Sequence, residues 1–405
     1  MNLTQTSRQL SYGAAVVAIL IAIACVMAMA AQPAYAKTYE DFTVKTVDGG
    51  VALVKHESSG ASQSYSIPAT IDGVKVVAVM LPQYNGCVSG LDLSEAIWLK
   101  TLVCPNCDMK KLDVSRLAYL EELDCSGNRL STLNLSKNTK LRTLSCGENR
   151  LTTLGLSKNP KLAGLDCAGN KLGKLNLSKN TKLEWLYCAG NNLVKLNVTK
   201  CRKLTTLECG WNKLTKLDVS KNVRLETLDC PENRLSKIDV SKCKKLVVFN
   251  CANNGKLSKL DLTKNSRIVE LVCCNNRLSE LDVSKCTMLK EFVCDHNKIK
   301  KLDLTKDKAL KRLFCEDNDL RELNTSKNRK LIYLDCSHNK ISKLDLTKNP
   351  GLRFLNCKPT TLTKLDLSKN KKISSLAYDP KKVRTLILPK GKKLGTYYAG
   401  EYSIS

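Results

Sequence analysis

The sequence predicts a β-rich solenoid of about 13 to 14 coils, because two features recur along most of the chain with a single period. Thirteen cysteines stand between Cys104 and Cys357 at intervals of 21 residues, with one interval of 22. Leucines recur around each cysteine with the same period. A repeat of this length in more than ten copies indicates stacked coils that bury a shared core.

One coil is represented by LEELDCSGNRLSTLNLSKNTK, from Leu120 to Lys140. Around Leu123 and Cys125 the residues alternate between apolar and variable, which is the pattern of a short strand with one buried face. The rest of the coil must turn back within about fifteen residues, so a long helix does not fit. We therefore expect a rod or horseshoe with a parallel sheet on its concave face and short turns on its convex face, with coils stacked at roughly 4.8 Å.

Two polar columns accompany the leucines, and both are interpreted as structural. An asparagine follows each predicted strand, and its amide can satisfy backbone groups at a buried bend. The ladder cysteines occupy inward positions, where a small, weakly polar side chain lets neighbouring coils approach. The asparagine column comprises Asn128, Asn149, Asn170, Asn191, Asn212, Asn233, Asn254, Asn276, Asn297, Asn318 and Asn339.

Disulfides and metal are alternatives for the cysteine ladder. Thirteen thiols cannot pair completely, and equivalent side chains in stacked coils lie roughly 4.8 Å apart and point the same way. A tetrahedral metal site needs ligands that converge, and the C-x-x-C spacing of Cys104 and Cys107 stands alone. We expect buried free thiols and neither metal nor cofactor. Cys87 and Cys107, in adjacent coils, are the one pair that a disulfide could join.

The quoted residues support a resemblance to a known family. The pattern L-x-x-L-x-C-x-x-N-x-L-x-x-L-D-V-S-K-N resembles the bacterial leucine-rich repeat, in the cysteine-ladder variant found among internalin-type surface proteins, over about three quarters of the chain. The segment from Ser66 to Val79 is similar to the lead-in of BspA-like surface proteins. The resemblance implies secretion, a curved repeat domain, and binding of proteins or other surface molecules without catalysis.

The regions outside the repeats define the predicted domains. Arg8 precedes the apolar run from Gly13 to Ala31, and Ala34-Tyr35-Ala36 is typical of a signal-peptidase site, although a membrane anchor is an alternative. A hairpin around Asp48-Gly49-Gly50 is predicted in the first cap. No wall-anchoring sequence follows the repeats, so we expect a secreted, extracellular or loosely surface-associated protein. The predicted domains are a signal peptide, 1–36; an N-terminal β cap, 37–80; the solenoid, 81–388; and a C-terminal cap, 389–405.

The outward positions of the strands suggest a binding surface. Between Glu122 and Phe354 these positions hold eight acids and one base, so the sheet is expected to be acidic although the chain has a formal charge of +28. Exposed aromatic and aliphatic residues on a sheet are typical of partner contacts, and scattered surface aromatics are the alternative. The first predicted partner-binding patch is Trp185, Tyr187 and nearby Trp211, and the second is Val272, Val293, Phe314, Tyr333 and Phe354. Glu208 and Asp229 are further predicted partner-binding residues.

Lysines recur on the predicted turns and allow a second hypothesis. One interpretation is a solvated face, with nearby aspartates that reduce the electrostatic field. Alternatively, regularly spaced lysines could attach to anionic polymers such as teichoic acid, sulfated glycan or extracellular DNA. The predicted polyanion-binding residues are Lys137, Lys158, Lys179, Lys200 and Lys221.

Catalysis is not expected. The chain has three histidines, His56, His296 and His338, and the last two lie two coils apart, at about 10 Å, which is too far to share a metal. No motif brings a nucleophile, a base and an orienting acid together, and no phosphate-binding glycine loop is present. The sequence therefore favours a non-catalytic binding protein with a protein ligand, without specific nucleic-acid recognition and without a membrane span after signal cleavage.

Overall fold

The computed structural model describes residues 37–39, 41–55, 63–81 and 88–392. The predicted signal peptide, most of the predicted C-terminal cap, His56 and Cys87 lie outside these residues. Every regular element in the described part is a β-strand, which confirms the β-rich solenoid with little helix.

The chain divides into two compact units between Leu204 and Thr205. The strands of the first unit are β1 Lys37–Tyr39, β2 Phe42–Val47, β3 Gly50–Lys55, β4 Gln63–Ser66, β5 Thr70–Ile71, β6 Val74–Met80, β7 Val88–Asp92, β8 Thr101–Val103, β9 Glu122–Asp124, β10 Thr143–Ser145, β11 Gly164–Asp166 and β12 Trp185–Tyr187. Those of the second unit are β13 Thr206–Glu208, β14 Thr227–Asp229, β15 Val248–Asn250, β16 Glu270–Val272, β17 Glu291–Val293, β18 Arg312–Phe314, β19 Tyr333–Asp335, β20 Phe354–Asn356, β21 Lys364–Asp366, β22 Ser375–Ala377 and β23 Thr385–Ile387.

The first unit begins with a small cap that continues into the repeats. Strands β2 and β3 form the predicted antiparallel hairpin, and Gly49 in its turn has φ 80°, a conformation that glycine adopts readily. β3 pairs in parallel with β6, which pairs in parallel with the first repeat strand, β8. Lys55, the last residue of β3, is buried, and its ammonium donates to the Tyr65 hydroxyl at 2.8 Å and to Asp41 Oδ2 at 3.2 Å. The N-terminal strands therefore continue the parallel sheet of the repeats, and the capping role expected for them stays a prediction.

Within each unit the repeat strands pair in parallel and in register. In the first unit Leu123 lies opposite Leu102 on one side and Leu144 on the other. In the second unit Leu313 lies between Phe292 and Leu334. Strands β21 and β23 pair with each other in a separate two-stranded sheet. Equivalent residues of successive coils are thus neighbours, and each unit is a stack of coils.

The ladder cysteines form part of the buried interior, as predicted. Cys125 is completely buried and Leu123 is 1% exposed, and every ladder cysteine from Cys104 to Cys357 is at most 1% exposed. Burial disfavours the thiolate and raises the pKa of Cys251 to about 12. These side chains therefore pack as small apolar groups, and their thiols are poor nucleophiles.

The bend asparagines have the structural role expected from the sequence. Asn128 donates through Nδ2 to the carbonyl oxygens of Cys104 and Cys125, at 2.9 and 3.0 Å, and its Oδ1 accepts the Met109 N–H at 2.9 Å. The same pattern repeats at Asn149, whose Oδ1 accepts the Leu130 N–H. Each amide thereby satisfies backbone groups of its own coil and of the preceding coil.

The residue before the bend asparagine adopts a left-handed backbone conformation in successive coils. Glycine supplies this conformation in part of the first unit, at Gly127, Gly169 and Gly190. Elsewhere the position is occupied by residues with a side chain, for which a positive φ costs about 1 kcal/mol or more. These residues are Glu148, Trp211, Glu232, Asn253, Asn275, His296, Asp317 and His338.

A second amide column joins the coils on the side of the turns. Asn138 is fully buried and donates through Nδ2 to the carbonyl oxygens of Val114 and Leu117, both at 2.9 Å. Its Oδ1 has no hydrogen-bond partner in the structure, and the same holds for the buried Oδ1 atoms of Asn159, Asn180, Asn265, Asn328 and Asn370. The position thus requires a hydrogen-bond donor, the amide Nδ2, whereas the Oδ1 acceptor is used little.

Three thiols and one carboxyl replace the amide in this column. Cys243 directs Sγ to the carbonyl oxygens of Val219 and Asn222, at 3.6 and 3.7 Å, so a weak donor occupies the place of the amide. Cys201 and Cys286 make similar contacts. Asp307 is the exception, because it is fully buried, neither carboxyl oxygen has a hydrogen-bond partner, and burial raises its pKa to about 7.

Asp307 should make the stability of the protein depend on pH. Its pKa in the folded state lies above the value of about 3.9 in an unfolded chain, so the folded state binds more protons between these values. The free energy of unfolding should therefore fall as the pH rises from about 4 to 7, by at most about 1.4 kcal/mol per pH unit. Denaturant unfolding at a series of pH values measures this.

Two matched variants exchange acid and amide within this column, one at Asp307 and one at Asn328. Asp307→Asn should remove this pH-dependent component and raise stability at pH 8 by about 1 to 3 kcal/mol, because the amide donors replace an ionised group. Asn328→Asp should introduce a second component of the same sign. An unchanged pH profile in Asp307→Asn would show that the carboxyl is not responsible.

The buried thiols should resist alkylation in the folded protein. A pKa near 12 in place of about 8.5 reduces the thiolate fraction by about three orders of magnitude at pH 8, and burial blocks access as well. We expect the ladder cysteines to react with iodoacetamide at least about 100-fold more slowly in the native protein than in guanidinium, as counted by mass spectrometry. Ser136→Cys, at an exposed turn, provides a reactive control. Comparable rates for most thiols in both conditions would contradict the inward register.

Candidate functional site

Each three-residue strand places its first and third side chains on the outer face of the sheet. First positions such as Glu122 are half-buried. Third positions are more covered than simple alternation predicts, and Asp124, Tyr187 and Glu208 are only 7 to 8% exposed. The cause is the close strand spacing, since side chains one coil apart pack against each other. The outer face is therefore a packed layer with restricted access, and its half-exposed groups are the ones that can meet a ligand.

The second predicted patch forms one continuous feature of the second unit, here named the aromatic stripe: Val272, Val293, Phe314, Tyr333 and Phe354. The first three occupy third positions on adjacent strands, and the last two occupy first positions on the next two strands. The change of column occurs between Phe314 and Tyr333, whose ring centroids lie 4.6 Å apart. Tyr333 and Phe354 stack with a centroid distance of 4.0 Å and an interplanar angle of 5°. The stripe therefore crosses the sheet diagonally.

The stripe has a buried base. Val293 is 1% exposed and forms a cluster with Ala252 and Cys274, against which Val272 and Phe314 pack. Val293 therefore supports its neighbours and offers almost no surface to a ligand, which restricts the role predicted for it. Phe314, Tyr333 and Phe354 are half-buried, so their rings are fixed by packing and retain exposed surface.

Charged groups border the stripe on both sides. Arg312 Nη1 lies 3.4 Å from Glu291 Oε2 beside Tyr333 in the first-position column. On the other side, burial and the neighbouring Asp335 and Asp295 raise the pKa of Glu316 to about 7. Burial also raises the pKa of Tyr333. An acidic margin beside aromatic rings is in line with the acidity predicted for the sheet.

In the first unit, Trp185 and Tyr187 come together as predicted. Both lie on β12, with ring centroids 5.2 Å apart; Trp185 is half-buried and Tyr187 is 7% exposed. The indole lies over Gly164, the paired residue of β11, and a Cβ there would meet ring atoms at 2.0 to 2.8 Å. Gly164 thus provides the space in which the indole lies flat on the sheet.

Trp211 of the first predicted patch and the further predicted residues Glu208 and Asp229 belong to the second unit. Glu208 and Asp229 lie on β13 and β14, and burial raises the pKa of Asp229 to about 7. Trp211 is half-buried and occupies the left-handed bend position with φ 50°. Their combination with Trp185 and Tyr187 into one surface stays a prediction.

The lysine columns are exposed on the turns, where the sequence predicted them. Lys137, Lys158, Lys179, Lys200 and Lys221 are all exposed. Asp218, near Lys221, is engaged by the backbone: its Oδ1 accepts the Ser220 N–H at 2.9 Å, and this bond lowers the pKa of Asp218. Over the described ranges, no acidic group lies within ion-pair distance of these five lysines.

One polar cluster beside the stripe was missed by the sequence analysis. His296 Nδ1 lies 3.0 Å from Asp295 Oδ2 and 3.8 Å from Glu316 Oε1. Donor atoms of these three residues lie within 4.8 Å of one another, a geometry suited to a metal ion. The signal in the sequence is that Asp295 and Glu316 occupy equivalent positions after the ladder cysteines of adjacent coils, next to His296.

The predicted disulfide and the alternative of a membrane anchor both involve residues outside the described ranges. Cys107 is buried, but its predicted disulfide partner Cys87 lies outside the described residues, so the disulfide stays a prediction. No described segment forms a helix of the length and apolarity needed to cross a membrane.

Comparison with known proteins gives matches among solved structures. No family model matches the chain, and no curated protein is significantly similar in sequence. The functional domain of InlJ from Listeria monocytogenes, which includes a cysteine ladder, aligns with a TM-score of 0.68 and 31% identity, over 76% of this chain and 67% of that one. A leucine-rich-repeat protein of Leptospira interrogans aligns with a TM-score of 0.59 and 20% identity, over 76% and 81% of the two chains. Internalin InlF of L. monocytogenes aligns with a TM-score of 0.52 and 21% identity, over 68% and 76%.

The two more distant likenesses concern the fold alone, whereas the InlJ match combines identity, coverage and a shared cysteine ladder. The buried thiols, the bend asparagines and the three-residue strands recur here coil after coil. The chain therefore belongs to the bacterial internalin-like leucine-rich-repeat proteins with a cysteine ladder.

Proposed function

We propose that this protein is a secreted or surface-associated binding protein that recognises another protein through the aromatic stripe of its second unit. The observation that supports the proposal most directly is the stack of Phe314, Tyr333 and Phe354, whose rings are fixed by packing and remain partly exposed. Aromatic residues that are already ordered lose little conformational entropy on binding, so their contact area contributes efficiently to affinity.

The charges around the stripe indicate the chemistry of the partner. Glu316 and Asp335 lie on one margin, and Glu291 with Arg312 lies on the other. An apolar centre with a charged rim is the usual arrangement of a protein interface. The rim favours a partner that presents apolar side chains together with lysine or arginine, since these complement its acidic groups.

A non-catalytic role is supported by the state of the reactive side chains. The thiols of the described coils are buried, and burial raises their pKa values, for example that of Cys243 to about 11. A buried thiol with a raised pKa is a poor nucleophile. Secretion is part of the proposal because of the predicted signal peptide, and adhesion to a host or bacterial surface is the role that fits a secreted chain without catalysis.

Replacement of two rings of the stripe should weaken partner binding without unfolding the protein. The chain from Lys37 onward can be used to capture partners from host and bacterial surface extracts, and affinity for a purified captured protein then measured. Tyr333→Ala with Phe354→Ala should weaken that affinity at least about 30-fold, which corresponds to about 2 kcal/mol. Circular dichroism and thermal melting verify the fold.

The controls separate the two predicted patches. Tyr119→Ala removes an exposed aromatic ring from a turn and should leave affinity unchanged. Trp185→Ala with Tyr187→Ala tests the patch of the first unit. Loss of binding in that variant alone would move the site to the first patch, and unchanged affinity in both double variants would refute recognition by the strand face.

Attachment to an anionic polymer is the second candidate function. The observation in its favour is the row of exposed turn lysines, none of which lies within ion-pair distance of an acid over the described ranges. Ammonium groups at a regular spacing can neutralise successive charges of a linear polyanion and release its counterions. This lysine column could therefore bind teichoic acid, a sulfated glycan or extracellular DNA.

Salt dependence should identify polymer binding. If the lysine column is the site, affinity for heparin or duplex DNA should fall steeply between low and moderate salt. Changing Lys137, Lys158, Lys179 and Lys200 to glutamine should make the logarithmic salt slope shallower by about three to four, and lysine-to-arginine changes at the same positions should preserve it. Equal slopes for the glutamine and arginine variants would exclude this column as the polymer site.

A further inference from the structure

Two adjacent coils bring three potential ligand groups together beside the aromatic stripe. Asp295 and Glu316 follow the ladder cysteines of adjacent coils, so the parallel register makes them neighbours. His296 occupies the left-handed bend position, with φ 52°. In that conformation its Nδ1 faces both carboxylates, at 3.0 Å from Asp295 Oδ2 and 3.8 Å from Glu316 Oε1.

The distances agree with those required by one shared metal ion. Zinc binds imidazole nitrogen and carboxylate oxygen at about 2.0 to 2.2 Å, so two tetrahedral ligand atoms lie about 3.4 Å apart. The two distances from His296 Nδ1 lie on either side of this value. All three ligand atoms lie within 4.8 Å of one another, so small side-chain rotations would bring them to a common centre.

The Asp295 carboxylate provides an independent indication that a cation is needed. Asp295 is only 7% exposed, and its Oδ1 is buried without a hydrogen-bond partner in the structure. A buried carboxylate oxygen that lacks a donor is costly, and coordination to a cation would compensate for the lost hydration. Oδ1 of Asp335, which precedes the ladder cysteine of its coil, by contrast accepts the Ser337 N–H at 3.1 Å.

Negative charge accumulates around the cluster. Asp317 Oδ2 lies 3.9 Å from His296 Nε2, and Asp335 acts electrostatically on Glu316 from the next coil. One imidazole faces more carboxylates than it can neutralise even when it is protonated. A divalent ion would supply the missing charge and would take the place of the proton at Nδ1.

We propose that Asp295, His296 and Glu316 form a binding site for one divalent transition-metal ion, of which zinc fits the donor set best. A site with an imidazole and two carboxylates differs from the all-oxygen sites that calcium and magnesium prefer. Three protein ligands leave a fourth tetrahedral position for water or for a group of another molecule. The site lies at the margin of the aromatic stripe but does not depend on the role proposed for the stripe.

The chain contains a matched control two coils away. His338 occupies the same left-handed bend position, with φ 50°. Ser337 stands where Asp295 precedes His296, and Lys358 stands where Glu316 lies in the next coil. The backbone setting is therefore conserved between the two histidines, and the carboxylates are not.

Zinc titration of the chelator-treated, reduced chain by isothermal calorimetry tests the site. We expect one zinc ion per chain to bind more tightly than calcium and to raise the melting temperature. His296→Asn and Glu316→Gln should each weaken this binding at least about 10-fold. Asparagine is compatible with the bend, since Asn253 and Asn275 occupy the same position in other coils. His338→Asn should bind zinc like the natural sequence.

Several outcomes would overturn the assignment. One is that zinc binds equally tightly to the natural chain and to the double variant His296→Asn with Glu316→Gln. The buried thiols, which both chains contain, would then account for the zinc binding. Equal losses in His338→Asn and His296→Asn would point to nonspecific histidine binding. Tighter binding of calcium than of zinc would contradict the donor-set argument.

Discussion

Amide side chains buried between successive coils are the constraint on which this structure depends. A leucine interior alone leaves many backbone groups of a tightly turning chain without partners, which is costly in a dry core. Asn128 and its equivalents satisfy such groups after each strand, and Asn138 and its equivalents do so at the turn. Because the amides of both columns bond to the preceding coil, they fix the register between neighbours.

That register places every other feature. It aligns the ladder thiols in the interior, the lysines on the turns and the aromatic rings on the strands. The diagonal course of the aromatic stripe follows from it, since Phe314 and Tyr333 stand in different columns of adjacent strands and still approach to 4.6 Å between ring centroids. Asp295 and Glu316 become neighbours for the same reason, although 21 residues separate them in sequence.

The repeat period predicted the fold because stacked coils give each residue a fixed direction. One alternating strand and one turn are enough to place Cys125 inward, Asn128 at the bend and Lys137 outside. Accessibility on the strand face could not be predicted in this way. Val293 is almost fully covered and Phe354 is half-exposed, although both are apolar residues in predicted outward columns. The difference depends on the volumes of neighbouring side chains and on support from Ala252 and Cys274, which periodicity does not encode.

The cluster around His296 was missed for a different physical reason. The left-handed backbone at this bend turns the imidazole toward residues of the same and the next coil, and the sequence position alone does not reveal that conformation. Asp307 illustrates a related limit. Its column was visible in the sequence, but the requirement for a donor at that position appears only when the carbonyl oxygens opposite Asn138 and Asn328 are seen.

The left-handed bend also affects how such a protein can diversify. Its backbone conformation is dictated by the turn, whereas its side chain varies among glycine, glutamate, asparagine, tryptophan, aspartate and histidine. A substitution there changes strain by about 1 kcal/mol, a small amount compared with the loss of a core leucine. Each coil therefore offers one site at the margin of the sheet where new recognition chemistry can evolve while the architecture stays constant.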